Sequence, residues 1–424
     1  MVGGAFQSNS ELILMNSNQK FKIAFSGGGF RATLFCLGIY RRLVELGLHK
    51  NIDSISSVSG GSIAAGQIMH ALKYGDFLSV SDFDDRVTEP LISLCQIRLR
   101  NRIMKKILYP LLPRNRFSQQ FQTFLDKYLF NYLSIGELPD YPEWSINTTC
   151  LNSGKRVRFK KEDFGGNIFG HSKNYKDTSV SFAVACSAAF PMMFAPMKLS
   201  TKGKLFFFKY DWQKAKWGEN PQVPDYLYLS DGGVYDNLGS ETFFKSKTPF
   251  IICDASGFLE EWDFQKKPNW FSLNWRPLDT GLDQIVLLRR RLIYQISKKI
   301  NGYQIILRDP VNSVLKNPEV YGKLSDNISD LPQYEILPDE LQQSLGRLRT
   351  DLDGFHDIEI QSLMWSGAIR IDIAVKRYLK GLLEEDKFHD TPPLPKYPIN
   401  TMKKILKRGE KRRYLSYLHK DLKS

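Results

Sequence analysis

The stretch Ser26-Gly27-Gly28-Gly29-Phe30-Arg31 decides how the first half of this chain folds. It follows an apolar run at residues 21–25 and leads into apolar residues at helical spacing. A second stretch, Ser57-Val58-Ser59-Gly60-Gly61-Ser62, stands in the same way between an apolar run and a helical pattern. Two such units in succession predict an α/β fold in which glycine-rich turns place helix N-termini at the carboxyl edge of a sheet.

Ser59 is the candidate nucleophile in the second stretch. A serine in a sharp strand-to-helix turn projects its hydroxyl clear of the backbone, and small residues such as Gly60 and Gly61 make that turn sterically possible. The elbow pattern is G-x-S-x-G, and Ser57 stands where its first glycine is expected. The segment alone is equally typical of an ordinary loop or of a helix N-cap.

The glycine triplet offers candidate partners for this serine. Gly27, Gly28 and Gly29 can present backbone N–H groups on one concave surface, which a tetrahedral acyl intermediate needs for its oxyanion. The pattern Gly27-x-Gly29-x-x-Ala32, with Asp53 downstream, also satisfies a dinucleotide-binding fingerprint. Asp53 begins its predicted strand instead of ending it, which disfavours that interpretation, and no P-loop Gly-Lys-Ser/Thr follows.

A third segment, Leu229-Ser230-Asp231-Gly232-Gly233, ends an apolar run that starts at residue 226. We expect the Asp231 carboxylate at the mouth of a strand, where it can accept the proton of Ser59 as a general base. Alone, the segment is also typical of an Asp-Gly turn. His356 follows both residues in the chain order of an α/β-hydrolase triad, so a triad with a histidine base is an alternative.

Together these segments resemble the patatin-like phospholipase family. The glycine and arginine motif at 27–31, the serine elbow at 57–61 and the Asp-Gly-Gly motif at 231–233 stand in the family's order. Residues 185–191 are similar to the family's Ala-x-Ser-Ala-Ala-x-Pro stretch, and a helical pattern at 358–379 resembles the closing helix of bacterial members. The resemblance implies a three-layer α/β/α sandwich with a mostly parallel central sheet, followed by helical C-terminal additions.

The resemblance also implies an activity: a serine lipid acyl hydrolase of the phospholipase A or lysophospholipase type that uses no metal and no cofactor. It makes Ser59 the nucleophile and Asp231 the base. The oxyanion donors that it implies are the amides of Gly27, Gly28, Gly29 and Gly60.

Arg31 and two departures from the family pattern complete the predicted site. The resemblance implies one of two roles for Arg31: it braces the glycine loop or it contacts a phosphate. Ser57 and Ala32 stand where the family commonly has glycines. A catalytically silent lipid- or nucleotide-binding module on the same scaffold therefore remains the alternative from a different functional class.

Length and composition fit a large α/β enzyme. The chain has 424 residues, of which 42% are hydrophobic and 25% are charged, enough for an extensive core. We expect an N-terminal segment at 1–20, a catalytic domain at 21–258, a helical extension at 259–390 and a basic tail at 391–424. Five cysteines without paired spacing argue against a disulfide framework or a zinc cluster.

The sequence shows neither a recognisable signal peptide nor an uninterrupted run of about eighteen apolar residues. We therefore expect a cytoplasmic protein that reaches phospholipid or another acyl-ester lipid from outside the bilayer, as a peripheral membrane protein. Because such an enzyme must be restrained from its own membrane, we also expect a regulatory ligand or partner, with no residue assigned to it.

The charge of the chain suggests where it meets lipid. Its formal net charge is +14, which predicts attraction to anionic surfaces. Two basic segments with interleaved apolar residues, 98–116 and 403–413, are candidates for contact with an anionic membrane. The first is also compatible with an internal helix whose arginines are solvated or paired, and the second with a merely solvated tail. Nucleic acid would satisfy the charge equally well, but no nucleic-acid-binding motif accompanies it, so we favour a membrane.

Overall fold

The computed structural model describes residues 19–99, 116–191, 194–257, 259, 261, 270–297, 302–316 and 331–410. The strands within these ranges are β1 (Phe21–Phe25), β2 (Ile52–Ser57), β3 (Glu143–Cys150), β4 (Lys155–Phe159), β5 (Phe164–Gly166), β6 (Gly170–Ser172), β7 (Met197–Ser200), β8 (Tyr226–Asp231), β9 (Phe250–Asp254) and β10 (Gly302–Ile306).

The helices of the same ranges alternate with these strands in the first part of the chain and dominate its last part. They are α1 (Gly29–Glu45), α2 (Gly60–Leu72), α3 (Val80–Phe83), α4 (Glu89–Gln96), α5 (Arg116–Leu125), α6 (Val180–Ser187), α7 (Asp211–Trp217), α8 (Gly233–Asp236), α9 (Trp270–Ser297), α10 (Val311–Lys316), α11 (Asp339–Arg347), α12 (Asp357–Tyr378) and α13 (Ile399–Glu410). Within the described ranges, no helix combines the length and the apolar character needed to cross a bilayer.

The strands form one sheet in the order β10-β9-β1-β2-β3-β4-β5-β6, with β8 and β7 attached beside β3. Its centre, from β10 to β3, is parallel. The strands β1 and β9 are buried along most of their length, as expected when helices cover both faces of a parallel sheet. This confirms the predicted α/β/α sandwich with a mostly parallel central sheet. The remaining strand pairs are antiparallel.

Helices α1 and α12 are in direct backbone contact. A Cβ atom on Gly38 of α1 would lie 2.0 Å from the carbonyl oxygen of Met364, and one on Gly367 of α12 would lie 2.2 Å from that of Phe35. Glycine on both helices therefore permits an approach that any other residue would prevent. Since α12 begins at Asp357, the predicted closing helix is confirmed.

The segment at 259–390 differs from the helical extension predicted for it. Its strand β10 pairs in parallel with β9 and forms one edge of the central sheet. The predicted boundary at residue 258 therefore separates elements that belong to one sheet. Hydrogen bonds between β9 and β10 and the contact of α12 with α1 make this segment part of the same core.

The predicted basic tail also contains a docked helix. In α13, Met402 and Leu406 are fully buried, and Lys403 and Lys407 pair with Glu340 at 2.8 and 3.1 Å. This part of the tail thus packs on the protein with its apolar face, whereas Lys404 and Arg408 are exposed. Most of the segment 98–116, residues 411–424 and most of the segment 1–20 lie outside the described residues.

Candidate active site

Ser59 stands in the turn between β2 and α2. Its backbone has φ 51° and ψ −121°, a conformation that costs a non-glycine residue on the order of 1–3 kcal/mol. Close backbone packing holds it there, because a Cβ atom on Gly60 would lie 2.0 Å from the carbonyl oxygen of Gly29 and one on Gly61 would lie 2.6 Å from that of Phe25. The predicted strand-to-helix elbow is confirmed, with its serine partly exposed.

Two strands meet head to head beside β3 and bring Asp231 to this serine. The last residue of β2 pairs with Ile146 in the parallel ladder. Asp231, the last residue of β8, pairs with Thr148 in an antiparallel ladder on the same edge of β3. The carboxyl ends of β2 and β8 therefore face each other across a single residue of β3, Asn147.

The side chain of Ser59 lies beside the carboxylate of Asp231, close enough for a hydrogen-bonding interaction that favours the charged form of this carboxylate. The same carboxylate accepts the backbone N–H of Gly233 at 2.6 Å. The Asp231 residue is 3% exposed, and this burial raises its pKa from 3.8 to about 7, although both hydrogen bonds act in the opposite direction. A carboxylate with a pKa near neutrality is a base well matched to proton transfer at physiological pH.

Three backbone N–H groups next to Ser59 find no acceptor within the described part of the chain, those of Gly28, Gly29 and Gly60. Gly28 and Gly29 have φ values of 141° and 55°, which point the amides in directions that an L-residue rarely allows. Gly29 and Gly60 are also the first residues of α1 and α2, where helix N-termini carry partial positive charge. These amides can therefore bind an oxyanion.

The amide of Gly27 has a different role from the one predicted for it. It donates to the carbonyl oxygen of Asn237 at 2.9 Å, so the assignment of Gly27 as an oxyanion donor is wrong. A Cβ atom at this position would lie 2.2 Å from Oδ1 of Asn237 and 3.2 Å from Cβ of Ser59. Gly27 is thus a glycine because the chain after β8 and the elbow both pack against it.

Arg31 braces the glycine loop. Its guanidinium is buried and donates to the carbonyl oxygens of Gly346 at 2.9 Å, Leu348 at 2.7 Å and Ala255 at 2.7 Å. This arrangement fits loop support, the first of its two predicted roles. Contact with a substrate phosphate is wrong, because the charged group is enclosed by main-chain carbonyls.

A network of hydroxyl groups beneath the elbow was not predicted. Ser187, the last residue of α6, accepts the N–H of Ser59 at 3.0 Å and donates to the carbonyl oxygen of Asn147 at 2.7 Å. Ser62 lies 3.0 Å from Ser187 and 2.9 Å from Ser57, hydroxyl to hydroxyl. Ser57 is therefore accommodated by its own hydrogen bonds. The sequence signal for Ser187 was its place in the stretch at 185–191.

The residues of the two alternative hypotheses lie elsewhere. His356 is the exposed N-cap of α12, where its Nδ1 accepts the N–H of Ile358 at 3.2 Å. Asp53 lies near the start of β2, at the edge of the sheet opposite to Ser59, and accepts the hydroxyl of Tyr141 at 2.9 Å. The geometry therefore supports neither a histidine triad nor a dinucleotide site built on Asp53.

A serine in a strained strand-to-helix turn, placed beside a buried carboxylate and flanked by backbone amides, has the parts of a nucleophilic hydrolase site. The family model described as patatin-like phospholipase matches residues 23–244, just over half of the 424 residues. The chain belongs to the patatin-like phospholipase family.

Two solved structures illustrate what this chain is similar to. Human GIVD cytosolic phospholipase A2 is 12% identical, with 85% of this chain and 59% of that chain covered and a TM-score of 0.47. VipD from Legionella pneumophila is 12% identical, with coverage of 92% and 74% and a TM-score of 0.35. The chain thus spans about three fifths of the human phospholipase chain. No curated protein sequence matches it.

Proposed function

We propose that this protein is a serine lipid acyl hydrolase, of the phospholipase A or lysophospholipase type, with Ser59 as nucleophile and Asp231 as base. The observation that carries this proposal is the placement of the Ser59 side chain beside the buried Asp231 carboxylate, where the carboxyl ends of β2 and β8 meet across Asn147. Membership of the patatin-like phospholipase family supports acyl esters of lipids as the substrate class.

Acylation of the enzyme is the first half of the proposed reaction. The oxygen of Ser59 attacks the ester carbonyl carbon while Asp231 accepts the hydroxyl proton. The carbonyl oxygen becomes negatively charged and is bound by the amides of Gly28, Gly29 and Gly60, each of which contributes about 3 kcal/mol to transition-state stabilisation. Collapse of this intermediate breaks the ester bond, and Asp231 passes its proton to the leaving alcohol. The acyl group remains on Ser59.

Deacylation reverses the same proton movements. Water attacks the acyl carbon and gives a proton to Asp231, the same amides bind the oxyanion, and the proton returns to Ser59 as the fatty acid leaves. A single group must therefore be a good base in one step and a good acid in the next. The Asp231 pKa of about 7, which results from burial, suits both tasks near neutral pH.

The intact pair also favours a hydrolase over a silent binding module. Ser57 forms its own hydrogen bonds with Ser62 and with Nε1 of Trp144, at 2.9 and 2.8 Å, and it leaves the contact between Ser59 and Asp231 in place. A module that only bound lipid would gain nothing from a strained serine or from a desolvated carboxylate, both of which destabilise the folded protein.

Labelling with a fluorophosphonate tests the nucleophile. We expect the wild-type protein to be labelled covalently and the Ser59→Ala variant to remain unlabelled. The matched control is Ser81→Ala, which removes an exposed hydroxyl from α3 and should label like wild type. Equal labelling of wild type and Ser59→Ala would refute Ser59 as nucleophile, and release of fatty acid from vesicles by Ser59→Ala at the wild-type rate would refute the reaction.

We further propose that the enzyme works in the cytoplasm as a peripheral membrane protein. The net charge of +14 supports an attraction to anionic lipid, and Lys404 and Arg408 remain exposed on the docked helix α13. Fractionation of cells that express the full chain tests this: we expect membrane association that high salt releases.

A further inference from the structure

Strands β7 and β8 project beyond the edge of the sheet on which Ser59 lies. Strand β8 runs antiparallel to β3 and ends at Asp231, whereas β2 runs parallel to β3 and ends just before Ser59. The residues of β8 that precede Asp231 therefore extend beyond the end of β2, in the direction in which β2 points. Tyr226, the first residue of β8, lies about 17 Å beyond Asp231 at about 3.4 Å per residue. Strand β7 pairs back along β8. We name residues 197–231 the β7–β8 arm.

The connection between β7 and β8, which packs beside β6, carries large side chains in solvent. Leu205 is 80% exposed, Tyr210 51% and Trp212 50%, and Phe207 and Tyr228 are also exposed. The rings of Tyr210 and Trp212 are nearly parallel, with their centroids 6.4 Å apart. Several exposed apolar side chains close together mark an interaction surface more often than single ones do.

The backbone beneath these side chains is firmly held. Phe207 exchanges two backbone hydrogen bonds of 2.8 Å with His171 of β6. The fully buried side chain of Gln213 donates to the carbonyl oxygen of Asn167 at 2.8 Å. The arm therefore presents its aromatic residues from a fixed scaffold, and they are not the exposed face of a poorly packed loop.

Lysines surround the aromatic residues. Apart from Asp231, the arm contains six lysines and three acidic residues. Three of the lysines are paired, Lys202 with Asp225 at 3.4 Å, Lys214 with Glu219 at 3.9 Å, and Lys209 with a buried aspartate of the β4–β5 connection.

The remaining lysines of the arm form no ion pair within the described residues and are exposed; they are Lys198, Lys204 and Lys216. Their ammonium groups lie over aromatic rings instead, that of Lys198 3.6 Å from the ring centroid of Tyr226 and that of Lys216 5.0 Å from that of Trp217. The arm thus has a positive surface beside its apolar one.

We propose that the β7–β8 arm is a docking surface for an anionic lipid bilayer, with Trp212, Tyr210 and Leu205 in the headgroup region. Tryptophan and tyrosine are the side chains that membrane interfaces favour, and each lysine near an anionic surface strengthens binding about fivefold. The substrate side of this inference rests on the proposed function, since docking through the arm would hold the site at the lipid on which it acts, and Phe207 of the arm lies in register with Asn147 across β4, β5 and β6. The residues of this surface differ from those of the basic segments 98–116 and 403–413.

Vesicle flotation of the full-length Ser59→Ala protein tests docking without turnover. The vesicles contain phosphatidylcholine, with or without phosphatidylglycerol. We expect Lys204→Glu/Lys216→Glu to weaken binding to the anionic vesicles at least about 30-fold, and Tyr210→Ala/Trp212→Ala to weaken binding to them at least tenfold. The control is Tyr74→Ala/Leu78→Ala, which removes two exposed apolar side chains just beyond α2, at the opposite edge of the sheet; it should bind like the Ser59→Ala parent.

Wild-type binding by both arm variants would overturn the inference, as would an equal loss in the control. The inference would also be overturned if an arm variant lost binding to a protein partner but still bound vesicles like the Ser59→Ala parent. Thermal melting shows which variants are folded. If the aromatic variant does not fold, the result of the lysine variant alone decides the test. Failure of the catalytic proposal is recognised separately: in the wild-type background, arm variants should keep fluorophosphonate labelling, whereas a wrong nucleophile is detected by Ser59→Ala alone.

Discussion

Replacing Asp231 with asparagine should stabilise the protein at neutral pH while it abolishes turnover. Burial raises the pKa of Asp231 from 3.8 to about 7 in the folded protein. The folded state therefore binds a proton between these two pH values that the unfolded state has released, so the folded protein loses stability as pH rises through that window. Asparagine cannot ionise, and its amide oxygen can still accept the Gly233 N–H.

The size of the effect follows from the two pKa values. A difference of about three pH units corresponds to about 4 kcal/mol of unfolding free energy. We expect wild-type stability to fall by an amount of this order between pH 4 and pH 8, and Asp231→Asn to lack that part of the decrease. At pH 8 the variant should be more stable than wild type, and at pH 4 the two should differ little. Urea unfolding followed by circular dichroism at several pH values measures both curves.

The control for this experiment is Asp140→Asn, which removes an exposed carboxylate paired with Lys161. It should leave the pH dependence of stability as in wild type, because an exposed ion pair contributes little to stability. Parallel curves for wild type and Asp231→Asn, with no gain at pH 8, would refute the claim that the site holds a desolvated carboxylate. Full activity of Asp231→Asn on a soluble ester would refute its role as base.

Two further substitutions test the frame around the nucleophile. Ser187→Ala removes the hydroxyl that accepts a hydrogen bond from the N–H of Ser59. We expect the free energy of unfolding to fall by about 1–3 kcal/mol and fluorophosphonate labelling to become slower, while KM for a soluble ester stays unchanged. Unaltered labelling would contradict a positioning role. Gly60→Ala places a methyl group 2.0 Å from the carbonyl oxygen of Gly29 and should prevent labelling, whereas Gly281→Ala, where a Cβ meets nothing within 4 Å in α9, should label normally and gain about 0.5–1 kcal/mol in urea unfolding.

Local sequence patterns were sufficient for the elements that carry the nucleophile. The units β1–α1 and β2–α2 and the elbow at Ser59 follow from apolar runs, helical spacing and glycine positions within a few residues of each other. The convergence of Ser59 with Asp231 could not be derived in this way. It depends on β8 running antiparallel along the outer half of β3, and strand direction is set by partners far away in the chain.

The corrected assignments of Gly27 and Arg31 share this non-local origin. A glycine motif shows that Gly27 is small, but its amide is occupied by Asn237 from the chain beyond β8. Arg31 is close to the glycine loop in sequence, yet its guanidinium contacts carbonyls at the C-terminal end of α11, Gly346 and Leu348, and just after β9, Ala255. The helix in the basic tail is a different case, because its signal was local. Met402 and Leu406 stand four residues apart, which is the spacing of a helix with one apolar face, and in the structure both are buried.

The frame of the oxyanion loop extends well beyond the part of the chain that the family model matches. That match ends at residue 244, but Arg31 donates to the carbonyl oxygens of Gly346 and Leu348. The backbone of Thr350 also packs against Gly29, because a Cβ atom on Gly29 would lie 2.0 Å from the carbonyl oxygen of Thr350. The strained turn and the free amides are unfavourable by themselves, so they persist only where such contacts hold them. The C-terminal part of this chain is therefore a structural component of the candidate active site.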